Sequence, residues 1–546
     1  MAFPKPLKIE PARLVVDEGK VIDAAHGDWY FQYDGLDETR YVYLEGSGLL
    51  DLLAAGEDLV VCEIGFGTGL TYQLVKEAMA ACGYQGRLSY IGVEGRPLNA
   101  AQAQAANDLR PVELAWQPQT AQPRAGFVRA SDDLLLLHGE AAEALSRLSA
   151  RVDLWFLDGF SPAKNPDAWT AEIYEQMARL SRPGARLSTF TAAGDVRRGL
   201  ERAGFETGKR SGWAKKREHL TARFGGQWSP RPKPTAPLTI AGGGIAGLML
   251  GLEAKRLGWQ ARLCGTGDPA QGSAVPFALV NYRPSGDLGP LGHLRRAGFF
   301  HLHHYGSDAQ MGVQALVSDD KLRKRWREET DVAHLWVAPD RVRVDQALSV
   351  DTAAFRARVL AQVEHQSDPI SRLPAGPLAL AAGLGSQALL NGLSLRANRG
   401  QQDRVRLGEP LSHPLNFGRL LLPTGQGHEA WLGASFDRNP SEDWQAPSDK
   451  DRAENIRRLN EALPECRVEA TGTSWVGLRA TTPDHLPLAG WSAENLGILT
   501  GLGSKGFLYA PILASCLLSE AMGLPLPLER WVWDALDPFR HKPKDS

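Results

Sequence analysis

Cysteine is scarce in this chain. Its five residues, Cys62, Cys82, Cys264, Cys466 and Cys516, lie too far apart for any pair to have redox or metal-ligand spacing. That excludes a disulfide scaffold and a zinc module, and it fits a reducing, cytoplasmic setting. Long apolar runs are missing too: no stretch approaches the roughly 18 residues of a membrane span, and the start, MAFPKPLKIEPARLVVDEGK, has no apolar targeting core. Net charge is almost absent, −2 over 546 residues. A polyanionic partner must therefore meet a local basic patch on a balanced surface. Repeats and low-complexity tracts are lacking, while 43% apolar and 23% charged residues are the proportions of folded globular protein. A chain this long is expected to hold about three to four domain-sized units.

What is present is a pair of nucleotide-binding patterns on either side of a Pro-rich break. In the first, an apolar strand from Leu59 to Ile64 runs into Gly65-Phe-Gly-Thr-Gly69, and a helical pattern follows from Leu70 to about Ala81. With Glu63 this reads E-x-G-x-G-x-G, and Gly65, Gly67 and Gly69 permit positive φ and close approach of backbone to a ligand. A second strand, Leu88 to Val93, ends at Glu94, placed to accept both hydroxyls of a ribose. A third, Leu134 to His138, ends at Gly139-Glu140, placed to meet an adenine edge. Acids at successive strand ends describe a nucleoside pocket. A fourth apolar run, Val152 to Leu157, ends at Asp158, on the carboxyl edge where open α/β sheets bind ligands. Lys164, Asn165 and two prolines then make a stiff polar loop. Taken alone, Asp158 fits equally well as a cap for a helix beginning near Trp169.

This order resembles class I S-adenosylmethionine methyltransferases, in which the fourth strand carries the catalytic acid. The resemblance implies that Asp158 accepts an N–H from an attacking amine, orients its lone pair and stabilises the cation forming on nitrogen, with no metal required. Downstream, Val196 to Phe224 holds nine Lys/Arg (Arg197, Arg198, Arg202, Lys209, Arg210, Lys215, Lys216, Arg217, Arg223) against three Glu. Such a stretch suits either phosphate binding or a solvated face. Gly225 to Pro237, with four prolines, reads as a linker. The expected layout is 1–224, linker 225–237, and 238–546.

The second pattern starts at once. Leu238 to Ala241 is a strand, Gly242-Gly-Gly244-Ile-Ala-Gly247 is G-x-G-x-x-G, and Leu248 to Leu257 continues as a helix, so a pyrophosphate would lie on the helix N-terminus. After the strand Gln260 to Cys264, the acid expected for a ribose falls on Gly267, with Asp268 the nearest substitute. Thr500-Gly-Leu-Gly-Ser-Lys-Gly-Phe507, leading into a helix from Pro511, repeats the dinucleotide logic through Gly503, Ser504, Lys505 and Gly506.

GLDETRYVYLEG (35–46), CEIGFGTGL (62–70), WFLDGFSPAKNPDAW (155–169), IAGGGIAG (240–247), RGQ (399–401), LGASFDR (432–438) and TPDHLPLAG (482–490) together resemble the bifunctional tRNA 5-methylaminomethyl-2-thiouridine biosynthesis family over nearly the whole chain. The resemblance implies an α/β architecture: a Rossmann-like methyltransferase domain, then a Rossmann-type FAD oxidoreductase of the D-amino-acid/glycine-oxidase type with a β-sheet substrate subdomain. It implies S-adenosylmethionine and FAD as cofactors and a tRNA wobble uridine as substrate. Arg479 would then hold a substrate carboxylate, with Lys505 as the next candidate. The chain departs from the family at Gln271-Gly-Ser-Ala-Val-Pro-Phe-Ala-Leu279, where a Gly-Ala-Ser-Gly-Asn-Arg-Gln-Gly-like loop is usual near the flavin. A small-molecule amine oxidase fused to a methyltransferase, and a methyltransferase with a degenerate flavin half, stay open. Lys321 to Arg327 (KLRKRWR) suits RNA phosphates and stacking, or a surface helix equally.

Overall fold

The computed structural model describes residues 3–17, 20–31, 35–108, 123–214, 216–267, 272–302, 305–306, 309–425, 427–493 and 495–541. Asp268 and Lys215 lie outside the described residues. The chain forms two compact units, Met1–Lys233 with Ser519–Arg530, and Pro234–Leu518 with Trp531–Ser546. Residues 225–233 pack on the first unit through buried Asp153, which accepts from the Trp228 indole N–H at 3.2 Å, Arg231 at 2.7 Å and Arg182 at 2.7 Å.

Among the described residues the first unit carries an eight-stranded sheet in the order Phe205–Ser211, Glu218–Phe224, Ser181–Thr189, Val152–Leu157, Leu59–Ile64, Leu88–Glu94, Leu134–His138, Gly126–Arg129. The five inner strands are parallel, the outer pairings antiparallel. Leu59–Ile64 and Val152–Leu157 are buried at every residue because helices cover both faces of a parallel sheet, which is why they read as unbroken apolar runs. Chain order reverses between these two strands, the kind of switch point at whose carboxyl ends open α/β sheets bind ligands. A three-stranded antiparallel sheet, Leu14–Asp17, Lys20–Asp23 and Asp28–Phe31, precedes them.

Among the described residues the second unit holds two sheets. A six-stranded one runs Glu364–Gln366, Ala261–Cys264, Leu238–Ala241, Leu378–Leu380, Leu496–Thr500, Leu488–Ala493, parallel except for its last strand. A nine-stranded, mainly antiparallel sheet includes Arg396–Leu407, Leu420–Pro423, Glu429–Gly433 and Val468–Thr481. This is the expected α/β class with a substrate-side sheet.

One helix begins earlier than its sequence suggests. Gly506–Ala521 contains Pro511, which reads as a start because an interior proline cannot bond the carbonyl four residues back. That carbonyl belongs to Phe507, and it accepts the Tyr305 hydroxyl instead.

Candidate active sites

The glycine loop of the first unit is shaped by what passes beside it. Gly65 sits at φ +88°, and a Cβ there would stand 2.3 Å from the Asp158 carbonyl oxygen. The Asp158 N–H in turn donates to the Ile64 carbonyl at 2.8 Å, so loop and strand-end acid are backbone neighbours. Gly67, at φ +52°, lies against the Tyr30 ring, 3.1 Å from where its Cβ would be. Gly69, at φ +73°, opens the helix Leu70–Cys82.

Glu94 accepts the Gly67 N–H at 2.8 Å on Oε2 and the Arg96 N–H at 2.8 Å on Oε1. The backbone thus aims both oxygens while each keeps a lone pair. Burial raises its carboxyl above the usual range against those two donors. The Tyr30 hydroxyl is buried with no partner, and burial and the Glu94 charge hold it strongly protonated. An orphaned donor next to a fixed carboxylate, over glycines that admit no Cβ, fits a nucleoside. Glu140 is exposed, its Oε1 3.3 Å from the Cβ position of Gly95. Glu63 lies in the core beneath, 1% exposed, and accepts the Tyr90 hydroxyl at 2.8 Å.

Asp158 caps no helix: Asn165 precedes the 3-10 turn Pro166–Trp169, and Thr170 precedes the helix Ala171–Leu180. The Tyr43 hydroxyl donates to Asp158 Oδ1 at 2.6 Å. Burial pushes this carboxyl up to about 6 although it keeps an accessible edge; the Tyr43 bond works downward, Glu38 upward and Lys216 downward. Tyr43 stands on a π-helical turn, Arg40–Glu45, a geometry common at functional sites. Lys164 donates to the Gly27 carbonyl at 2.6 Å and to Asp28 at 3.1 Å. Asp28 also accepts the Ser161 N–H at 2.9 Å, so the N-terminal sheet holds the loop after the acid.

The basic stretch is half neutralised. Arg197 pairs with Glu201, Arg198 with Asp195, Lys209 with Glu218 and Lys216 with Glu38. Arg210 instead lies over the Tyr41 ring at 6.0 Å, and Tyr41 packs on Trp213 at 5.4 Å. A basic and aromatic rim therefore adjoins the turn that carries Tyr43.

In the second unit Gly242, at φ +119°, has the Ala381 carbonyl oxygen 2.4 Å from its Cβ position, and a Cβ on Gly247 would meet the Gly242 carbonyl. Gly244 precedes the helix Ile245–Arg256, whose first N–H, on Ile245, donates to Ser273 Oγ at 2.9 Å. Ser273 belongs to the divergent loop, which therefore still reaches the helix terminus. Gly267 backs onto Ser367, its N–H donating to that carbonyl at 3.1 Å. Gly242, Gly244 and Gly267 line a cavity of about 1270 Å³, together with Gly503, Ser504, Lys505, Gly506 and Arg479. A glycine cradle opening into a cavity of that size fits a dinucleotide.

Arg479 lies 4.8 Å from the Phe436 ring centroid and donates to the Ser435 carbonyl at 3.2 Å. Arg419, which sequence reasoning missed, lies 5.4 Å from the same ring. Among the described residues neither has a carboxylate partner; burial, then the Arg419 charge, pushes Arg479 down to about 10. Burial, then Arg295 and Arg283, pushes the Lys505 ammonium down to about 8. Trp326 is 1% exposed and packs on Tyr282 and His334, so it is core and offers no stacking face.

A profile for S-adenosyl-L-methionine-dependent methyltransferases matches residues 112–224, and one for FAD dependent oxidoreductases matches residues 238–519. The chain is similar to proteins named tRNA 5-methylaminomethyl-2-thiouridine biosynthesis bifunctional protein MnmC. The Caulobacter vibrioides protein is 34% identical over 94% of this chain and 95% of its own length. That of Maricaulis maris is 33% identical over 96% and 94%, and that of Pseudomonas aeruginosa 31% over 98% of both. Solved structures with partial similarity include iminodiacetate oxidase from Chelativorans sp. BNC1, 18% identical with TM-score 0.45 over 56% of this chain and 99% of that one. Glycine oxidase from Geobacillus kaustophilus is 17% identical, TM-score 0.45, over 57% and 100%. Full-length relatives and the order of the two profiles agree: this chain belongs to the family of bifunctional tRNA 5-methylaminomethyl-2-thiouridine biosynthesis proteins, a methyltransferase joined to an FAD-dependent oxidoreductase.

Proposed function

We propose that the second unit oxidises the carboxymethylaminomethyl group of a tRNA wobble uridine, and that the first unit methylates the primary amine so produced. The C–N bond loses two electrons and two protons to give an imine; water then releases glyoxylate and the amine. The observation that carries this reading is the pair of guanidiniums, Arg479 and Arg419, which among the described residues make no ion pair and lie beside Phe436 in the cavity wall. Such a pair suits a carboxylate gripped bidentately. It holds the carboxymethyl end so that the neighbouring carbon is presented in one orientation. FAD, when bound over Gly242, Gly244, Gly247 and the Gly503–Gly506 segment, supplies the two-electron acceptor. Lys505, lowered to about 8, can hold or release a proton near neutral pH.

In the first unit Gly65, Gly67, Glu94, Glu140 and the Tyr30 hydroxyl would hold S-adenosylmethionine, which supplies the methyl group. Asp158 accepts an N–H of the incoming amine on its free oxygen while Tyr43 fixes the other. Full-length relatives favour this tRNA reading over a small-molecule amine oxidase.

Nucleoside analysis of tRNA from a strain lacking the chain tests it. Carboxymethylaminomethyl-uridines should persist and methylaminomethyl-uridines vanish. Complementation with Asp158→Ala should leave the aminomethyl nucleoside, and with Arg479→Ala the carboxymethylated one. Normal methylaminomethyl content in the deletion strain would overturn the reading.

A further inference from the structure

We propose that Arg283, Arg295, Arg325 and Lys505 form a second anion site in the cavity of the Pro234–Leu518 unit, and that it takes a phosphodiester of the RNA strand next to the modified nucleotide. All four side chains line the same cavity as Arg479. Among the described residues none of them has a carboxylate within ion-pair distance, although neighbouring cations do: Arg296 pairs with Asp331, Arg323 with Asp320 and Lys324 with Glu328.

The acids close by are already engaged. Glu329 accepts the Tyr282 hydroxyl at 2.6 Å and the Asp331 N–H at 2.9 Å. Asp287 accepts the Gly289 N–H at 2.9 Å, and Asp319, whose carboxyl Arg283 helps to lower, caps the helix Asp320–Glu328 through the Leu322 N–H at 2.7 Å. Among the described residues the hydrogen-bond partner of Arg295 is the Tyr509 hydroxyl, 3.4 Å from its Nε. The cluster therefore keeps its positive charge facing the cavity, and the crowding shows in Lys505, which burial and then Arg295 and Arg283 drive down to about 8.

Like charges gathered in a cavity wall repel, and an anion relieves the repulsion. The other anions this unit is expected to receive have their own places, a pyrophosphate at the glycine cradle and a carboxylate at Arg479 and Arg419. A polynucleotide brings one more anion wherever a base enters a pocket, its flanking phosphodiester, and the guanidinium fork matches phosphate oxygens. The site would thus sense that the carboxymethylated base arrives on a strand.

This rests on the reading of the unit as an oxidase of modified tRNA, so the test pairs a binding arm with a turnover arm, both on the FAD-loaded full chain. In the binding arm, a pentamer of oligouridylate is titrated while the flavin absorption band is followed. Binding should perturb the band with a log–log salt slope of about −0.7 for each phosphate neutralised. Arg295→Gln and Arg325→Gln should each weaken binding by about tenfold or more and flatten the slope by about one phosphate. Arg325→Lys, which keeps the charge, should keep the slope. In the turnover arm, the free carboxymethylaminomethyl-uridine nucleoside should be oxidised equally by wild type and Arg325→Gln, while an anticodon stem-loop should show a raised KM with that variant.

An unchanged oligouridylate slope in both Gln variants overturns the proposal. So does equal loss of nucleoside and stem-loop turnover in Arg325→Gln, which would make the cluster a carboxylate site, and so does inorganic phosphate competing as well as oligouridylate per phosphate at matched ionic strength. If wild type oxidises neither substrate yet binds oligouridylate through the two arginines, the oxidase reading fails and the phosphodiester site stands.

Discussion

Tyr43→Phe isolates the group that tunes Asp158. The ring stays packed on Phe156 at 5.6 Å, and only the hydroxyl that donates to Asp158 Oδ1 at 2.6 Å is lost. Burial is the main force raising this carboxyl to about 6, and the Tyr43 bond is the first force opposing it. A hydrogen bond to a charged group is worth about 1.5–3 kcal/mol, and about 1.4 kcal/mol moves a pKa by one. The low end applies, because the acid keeps an accessible edge at which water can replace the hydroxyl. The variant carboxyl should therefore titrate near 7 instead of about 6. If Asp158 must be ionised to accept the amine's proton, the acid limb of kcat/KM for methyl transfer moves alkaline by about one pH unit. At pH 7 the ionised fraction falls from about nine-tenths to about one half, and at pH 9 the two enzymes converge. The titration of the substrate amine is common to both proteins, so the ratio of their profiles reports Asp158 alone. Methyl incorporation from labelled S-adenosylmethionine into tRNA carrying the aminomethyl group, measured from pH 5.5 to 9.5 as about nine points, gives both curves. Superimposable profiles, or a loss that is uniform across pH, would refute the argument.

Asp158→Ala should lower methyl transfer about 10²- to 10³-fold while S-adenosylmethionine still binds by calorimetry, whereas Glu94→Ala should weaken that binding; equal loss of binding in both variants would merge the two roles. Gly65→Ala places a Cβ 2.3 Å from the Asp158 carbonyl at φ +88°, so thermal melting should show the first unit destabilised by about 1–3 kcal/mol or more; an unchanged melt would mean that the loop relaxes freely. Arg479→Lys keeps charge but loses the planar fork, and should cut oxidation of carboxymethylated tRNA about 10²-fold with FAD content and methyl transfer intact; normal oxidation would place the carboxylate elsewhere. Arg210→Glu with Arg217→Glu should flatten the salt dependence of tRNA binding measured by anisotropy, and an unaltered slope would move the binding face away from the Tyr41 rim.

Which of these residues could be found from sequence follows from how each is placed. Parallel strands buried on both faces read as apolar runs, so the ends of Leu59–Ile64, Leu88–Glu94 and Val152–Leu157 were legible, and with them Gly65, Glu94 and Asp158. Tyr43 was not, because a π-turn shifts the helical period and brings a side chain to Asp158 from 115 residues away. Tyr30 sits on a four-residue strand, too short for any alternation to stand out. Arg419 meets Arg479 only because Leu420–Pro423, Glu429–Gly433, Arg396–Leu407 and Val468–Thr481 pair side by side, with Leu420 opposite Gly433 and Asn398 opposite Arg479. In KLRKRWR the charges mask a plain amphipathic period: Leu322 and Trp326, four apart, are the buried positions.

The divergent loop makes the complementary case, in which a string departs from the family while the physical requirement survives. The strand-to-loop packing leaves only 2.6 Å between the Leu478 carbonyl and the Cβ position of Gly272, so glycine is needed there whatever its neighbours. The helix Ile245–Arg256 has unsatisfied N–H groups at its start, and the Ser273 hydroxyl reaches the one on Ile245 at 2.9 Å. A glycine and a serine in the right order meet both demands, and the remaining residues from Val275 to Leu279 are then free to follow the strand Phe277–Val280 into the substrate-side sheet. On this account Ser273→Ala should loosen FAD, read as faster loss of flavin colour on dilution, while Val275→Ala should not. Equal retention of flavin in the Ser273→Ala variant would show that the helix terminus is satisfied without the loop.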